Sequence, residues 1–342
     1  MATLDATLFT SAVDVAKRED PSGKTAMIVE SLAQNNAVLE DAMWIPTNDK
    51  DTHVSTRRVS LMTPTRRRLN AGTPPSKTHT AQVRDRCTSI EGLSQIDQKL
   101  ERREGPNFKA YRLSEDIAFL ESFNQKMAFD MFYATTASDP EDMSGFAQRY
   151  ASPAGTEYSA NVIDAGGSGS DNTSIWLVRW GPQTVHCIYP RNSNAGFVHK
   201  DKGEIHVTDA DGNLYWASVS QFYWDYGLAV RDPRSVARIG SIDVSALSDV
   251  TPTEGAFLFD YMIEALTVTD QGGMGATKPC FYMNQTLFQR YYQQAFHKSN
   301  AELTLTEAVT GGGGSERVRY DLRFMGIPIK RVDQISNAEA LV

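Results

Sequence analysis

Residues 111–134, YRLSEDIAFLESFNQKMAFDMFYA, limit most strongly what this chain can fold into, because they run without a Gly or Pro. About 20 helical residues at about 1.5 Å each span about 30 Å, the width of a small domain. Leu113, Ile117, Leu120, Met127 and Met131 recur at helical spacing, while Phe119, Phe123, Phe129 and Phe132 widen the apolar side beyond a narrow stripe. A helix of this kind needs cover on more than one side. Ser114 is placed to cap its start, with Glu115 and Asp116 where the helix dipole favours negative charge. The breaker Ser138-Asp139-Pro140 marks its end. Taken alone, the segment reads as the core helix of an α+β domain.

Charge supplies the second constraint. The net charge is −8, but residues 50–86 carry nine basic side chains (Lys50, Arg57, Arg58, Arg66, Arg67, Arg68, Lys77, Arg84, Arg86) against Asp51 and Asp85. That stretch holds +7, which leaves −15 for the remainder. A basic protrusion on an acidic body can dock onto further copies of itself, since opposite potentials steer association.

Within this stretch Val54, Thr56, Arg58 and then Thr78, Thr80, Gln82, Arg84 and Arg86 alternate with a second polar or small set, the period of strands. Asn70-Ala71-Gly72-Thr73-Pro74-Pro75 supplies turn chemistry between them. The expectation is a long solvent-facing β-hairpin whose strands lack an apolar face. Such a hairpin is not stable alone in water, so a partner surface is implied. Arg66-Arg67-Arg68 also suits nucleic-acid phosphate, but the hairpin has no aromatic side chains for base stacking.

At 342 residues, 41% hydrophobic and 22% charged, the chain has ample length for a buried core and the composition of a globular protein. Cys87, Cys187 and Cys280 are too few and too scattered for a disulfide framework or a zinc site, which fits a reducing compartment. The first 20 residues lack a basic region followed by an apolar run, and no segment is long and apolar enough for a membrane span. Neither a signal peptide nor membrane insertion is expected.

Thr25 to Asp41 reads as a helix, followed by an extended Trp44-Ile45. The Gly- and Ser-rich 155–174 contains Ala165-Gly166-Gly167-Ser168-Gly169, but no Gly-Lys-Ser/Thr follows, so it reads as a flexible loop rather than a phosphate cradle. Strands are expected at 174–180, 184–189, 204–208, 214–222 and 236–242, with a hairpin turn at Asp209-Ala210-Asp211-Gly212-Asn213 that lacks the remaining ligands of a calcium loop. Thr251-Pro252-Thr253-Glu254 is a capping box for a helix carrying Phe257, Leu258, Tyr261 and Met262, and a second helix is expected over 285–297. Gln271 to Gly275 reads as a mobile loop and Gly311 to Gly314 as a hinge. Two closing strands, 317–324 and 329–335, flank a turn at Gly326-Ile327-Pro328.

No catalytic, cofactor or metal pattern stands out. His53, His79, His186, His199, His206 and His297 are dispersed, and there is no nucleophile elbow or Walker lysine. The aromatic run Phe222 to Tyr226 reads as a core strand with an exposed turn rather than a ligand site.

In order and spacing, SLAQNNAVLEDAMWIPTN, the long helix, FYATTASDPEDMSGFAQRY, NVIDAGGSGSDNTSIWLVRWG, CIYPRNSNAGFVHKDKGE and FMGIPIKRVDQI resemble the major capsid proteins of tailed bacteriophages, particularly a short-tailed group. The resemblance runs from about Ser31 onward. It implies an α+β Hong Kong 97-type fold with an N-terminal arm (1–45) and an extended β-hairpin loop (46–90). A peripheral domain (91–160 and 311–342) would hold the spine helix at 114–134, and an α/β axial domain would occupy 161–310. It further implies homo-hexamers and pentamers in an icosahedral shell around double-stranded DNA, formed in the host cytoplasm. In that setting Arg57, Arg58, Arg66, Arg67, Arg68, Lys77, Arg84 and Arg86 form an inter-subunit surface. A cementing or decoration protein, a scaffold, a portal and non-specifically held DNA are the further partners it implies, with no cofactor and no membrane. Two other readings stay open: a nucleic-acid-binding protein with a basic hairpin, and a cellular encapsulating nanocompartment of the same fold.

Overall fold

The computed structural model describes residues 34–104, 108–208, 212–248, 257–269, 277–296, 306–308 and 319–342. Its strands in chain order are β1 (Trp44–Pro46), β2 (Thr52–Ser60), β3 (His79–Asp97), β4 (Val162–Asp164), β5 (Asn172–Trp180), β6 (Val185–Tyr189) and β7 (Val198–Thr208). They continue with β8 (Leu214–Val230), β9 (Val236–Asp243), β10 (Lys278–Met283), β11 (Thr306–Ala308), β12 (Arg319–Asp321), β13 (Arg323–Phe324) and β14 (Ile327–Arg331). The chain forms two compact units. One is Met1–Gln34, Ser89–Met127 and Asn194–Asp225; the other is Asn35–Thr88, Ala128–Ser193 and Tyr226–Val342.

The larger unit is built around β5, whose NTSIWLVRW residues are buried almost throughout because both of its faces are covered. β10 pairs antiparallel along one edge and β9 antiparallel along the other, while β14 extends the sheet parallel to β10. Alternation along the strand then separates two cores. Ile175 and Leu177 face a cluster with Leu258 and Met262 of the helix Leu258–Thr269 and with Leu287 and Tyr291 of the helix Gln285–Phe296. Trp176 and Trp180 face Phe132 and Phe146, with ring centroids 5.8–6.4 Å apart for the pairs involving Phe146. The second helix is capped by Asn284, whose Oδ1 accepts from the Leu287 N–H at 2.9 Å.

In the smaller unit, β7 and β8 form an antiparallel ribbon from Val198↔Tyr223 to Thr208↔Leu214. Its Phe222 stacks on Phe119 of the long helix, and Phe197 meets Phe123 edge to face at 5.2 Å. Gly92 on β3 is close to these rings, and a Cβ there would lie 3.2 Å from Phe123.

The long helix is Phe108–Tyr133, so it begins before the expected start at Ser114. Ser114 does not cap it: its hydroxyl donates to the Tyr111 carbonyl at 2.7 Å, bonding back within the helix. Tyr111, Phe123, Met127, Met131 and Phe132 are buried, but Leu113, Ile117, Leu120 and Phe129 are exposed. The apolar stripe is thus longer than the cover a single subunit gives it.

Other expectations need adjustment. The glycine-rich stretch contains β4, paired parallel to β9, and Gly167 presses on the sheet so closely that a Cβ would lie 2.2 Å from the Ser241 carbonyl. Phe222 to Tyr226 lie within β8 without a turn, and the Tyr226 hydroxyl donates to Asp130 at 2.6 Å. The closing turn is Met325-Gly326, both at positive φ, as a two-residue hairpin loop requires. Of the helix expected over 25–41, Val38–Asp41 is helical and 1–33 lie outside the described residues. So do the capping box at 251–254, the 271–275 loop, most of the 209–213 turn and the 311–314 glycines.

Candidate assembly interface

β2 and β3 pair antiparallel from Thr52↔Arg86 to Ser60↔His79, with a register shift between Arg58 and Ser60. Asn48 starts the ladder by holding both the N–H and the carbonyl of Val54, at 2.8 and 2.7 Å. The root of the expected hairpin therefore forms, while 61–78, on either side of the expected turn at 70–75, carry no strand, and β3 runs on to Asp97, beyond its expected end. Its root differs from its far end. His53, Ser55 and Asp85 are buried, whereas every residue from 61 to 80 is exposed.

Buried charge fixes the root. Asp85 accepts from Arg149 at 2.7 Å, and both side chains are shielded from solvent. The same guanidinium donates to the Leu228 and Ser144 carbonyls at 3.2 Å. Removing either partner would leave the other charged and unpaired in a dry site. Packing is equally close at Gly227 of β8, where a Cβ would lie 2.6 Å from the Arg86 carbonyl and 2.9 Å from Ile188. Gly227→Ala is therefore expected to cost about 1–3 kcal/mol by overpacking. A thermal melt of the subunit reads this, and an unchanged midpoint would mean that the root yields freely.

The eight basic residues named from the sequence divide into two groups. Arg57 turns inward, pairs with Glu157 and lies over the Tyr158 ring at 5.5 Å, and Arg86 donates to the Pro140 carbonyl at 2.9 Å. These two work within the subunit. Arg58, Arg66, Arg67, Arg68, Lys77 and Arg84 are exposed, and Arg67 folds back onto the Ala71 carbonyl at 3.1 Å. Arg58 also lines a cleft of about 860 Å³ with Gln183, Arg231 and Arg234.

Sequence reasoning missed the apolar residues interleaved with these charges. Val59, Leu61, Met62 and Leu69 are all exposed, Leu69 to 96%. The signal was present, since large apolar side chains in a segment with no buried face have nowhere to go within one subunit. Among the described residues no group of three or more His, Cys, Asp or Glu is placed to hold a metal ion, and no helix is long and apolar enough to cross a membrane.

Comparison with known proteins agrees with this architecture. Residues 20–342 match the family model described as major capsid protein GP7. The chain is 33% identical to a solved bacteriophage Epsilon15 protein, over 100% of this chain and 99% of that one, with a TM-score of 0.81. Two looser likenesses are a bacteriophage JBD30 capsid (8% identity, 90% of this chain and 95% of that one, TM-score 0.47) and the SrpI encapsulin of Synechococcus elongatus (9%, 68% and 96%, 0.42). No curated protein matches. The full-length match and the shared fold establish that the chain belongs to the GP7 family of major capsid proteins, structural subunits of phage heads with the Hong Kong 97-type fold.

Proposed function

We propose that the subunit closes its icosahedral shell by laying the extended hairpin over an adjacent copy, in hexamers and pentamers, with charge as the main hold. The observation that carries this reading is the far end of the hairpin, where residues 61–80 are all exposed and the run Arg66-Arg67-Arg68 stands between bare Leu61 and Met62 on one side and bare Leu69 on the other. An exposed hairpin this long does not hold itself in water, and its +7 faces −15 on the rest of each copy. The uncovered Leu113, Ile117 and Leu120 on the long helix support the same conclusion, because a shell supplies the missing cover.

In this reading the domains are the arm (1–45), the extended loop (46–90), a peripheral domain (91–160 and 311–342) and an axial domain (161–310). The two compact units cut across these limits, since 194–225 groups with 89–127. The subunit is a building block without catalysis, assembled in the host cytoplasm around DNA that it contacts non-specifically. Scaffold, portal and any cementing protein act on this frame.

Sedimentation velocity and negative-stain microscopy of the purified full chain test the proposal. Very large closed particles are expected. A small species that binds nucleic acid, with affinity falling steeply as salt rises, would replace it with the nucleic-acid reading.

A further inference from the structure

His53 on β2 and His186 on β6 meet edge to face at the hairpin root, with ring centroids 5.2 Å apart and planes at 83°. Both are buried, and Nδ1 of His53 and both ring nitrogens of His186 have no hydrogen-bond partner. Two unsatisfied imidazoles in a dry site are tolerable while neutral and costly once charged.

The surrounding charges make the two rings unequal. Asp85 on β3 stands directly across the ladder from His53; its Oδ1 takes Arg149, and its Oδ2 has no partner. A proton on His53 would therefore find an acceptor nearby. His186 lies opposite Ala229 on β8, and Arg231, just past the end of that strand, adds a positive field to both rings. The Gly181 backbone favours a charge on His186 but satisfies neither nitrogen. A second proton would place two imidazoliums face to edge beside an arginine.

We propose that His53 and His186 form a proton-operated latch, closed while both rings are neutral, that loosens the root of the hairpin when the pair becomes charged. This regulates the clasp proposed above and rests on that reading for its biological meaning. The direction follows from linkage. Burial, then Arg231, hold His53 below the usual histidine value against the pull of Asp85. Burial, then His53 and Arg231, bring His186 down to about 4. Both closed-state values lie below the free value near 6.5, so the opened root binds more protons as pH falls between about 6.5 and about 4. Closure is fully favoured above that window and weakens through it.

Hydrogen exchange read by mass spectrometry on the full-length subunit, at about pH 7 and about pH 4.5 and corrected for intrinsic rates, tests the latch. Peptides covering 52–60 and 79–88 should lose protection about tenfold or more in acid, while those from β5 and β9 keep theirs. The double variant His53→Gln, His186→Phe should show no such loss. His186→Phe alone keeps a buried ring, removes the group that lacks an acceptor and should abolish most of the change. Unchanged protection in the wild type, or the same acid response in His186→Phe, overturns the latch and leaves the clasp untouched. A root that opens in acid while particles still form normally at that pH keeps the latch and overturns the clasp instead.

Discussion

Replacing Glu339 with Ala is expected to destabilise the subunit by about 3–5 kcal/mol, the cost of breaking a buried ion pair from one side. Glu339 and Arg238 pair at 2.7 Å with side chains only 4% and 6% exposed. Arg238 also donates to the Ser174 hydroxyl at 3.1 Å and the Tyr150 carbonyl at 2.9 Å, and its guanidinium lies 5.2 Å from the centre of the Trp176 ring. Without Glu339 that guanidinium stays buried among neutral groups. The Tyr133 and Ser174 hydroxyls, both of which donate to the carboxylate, lose their acceptor at the same time. The loss is large against the about 5–15 kcal/mol that holds a typical domain together. Denaturant unfolding followed by circular dichroism measures it, with Glu339→Gln as a milder variant that keeps one acceptor and loses the charge. A cost for Glu339→Ala below about 1 kcal/mol would show that the last turns of the chain are not fastened to the core.

Glu339 also shows what the sequence could not disclose. Its partners Tyr133, Ser174 and Arg238 lie on three separate elements, and neither spacing nor periodicity links them to ISNAEALV. Local patterns were more informative. Period-two alternation found the paired root of the hairpin, the strand expected at 174–180 lies within β5, and the helix Gln285–Phe296 lies where its spacing placed it. The long helix was legible in its extent but not at its start, because a serine before two acids is a capping signal wherever it occurs, and here Ser114 lies several residues into the helix. Its exposed Leu113, Ile117 and Leu120 escaped for a different reason: helical spacing identifies one face but does not say whether the cover comes from the same subunit. The glycines at 166–169 do lie in a loop, between β4 and β5, but low side-chain volume is the mark both of mobility and of close backbone packing. Gly167 is a case of the second.

At the interface the sequence identified the charge but could not sort it. Arg57 and Arg66 look alike in a basic stretch, yet Arg57 is used inside the subunit by Glu157 and Tyr158, while Arg66 is exposed on the far end. In the proposed clasp, assembly therefore rests on the far-end arginines rather than on the whole basic run. Each exposed ion pair contributes only about 0–1 kcal/mol, but a closed shell repeats every contact many times, and small terms accumulate into a strong bias.

Replacing Arg66, Arg67 and Arg68 together with Ser tests this most directly. All three are exposed, so the subunit should keep the circular dichroism spectrum and melting behaviour of the wild type. Particle yield by sedimentation at moderate salt should instead fall about tenfold or more, because the small loss at each contact is repeated throughout the shell. Rising salt should weaken wild-type assembly toward the level of the variant, because screening acts on the same exposed charges. Particles from the triple variant in wild-type yield at moderate salt would contradict the electrostatic clasp and leave the three arginines to the packaged nucleic acid.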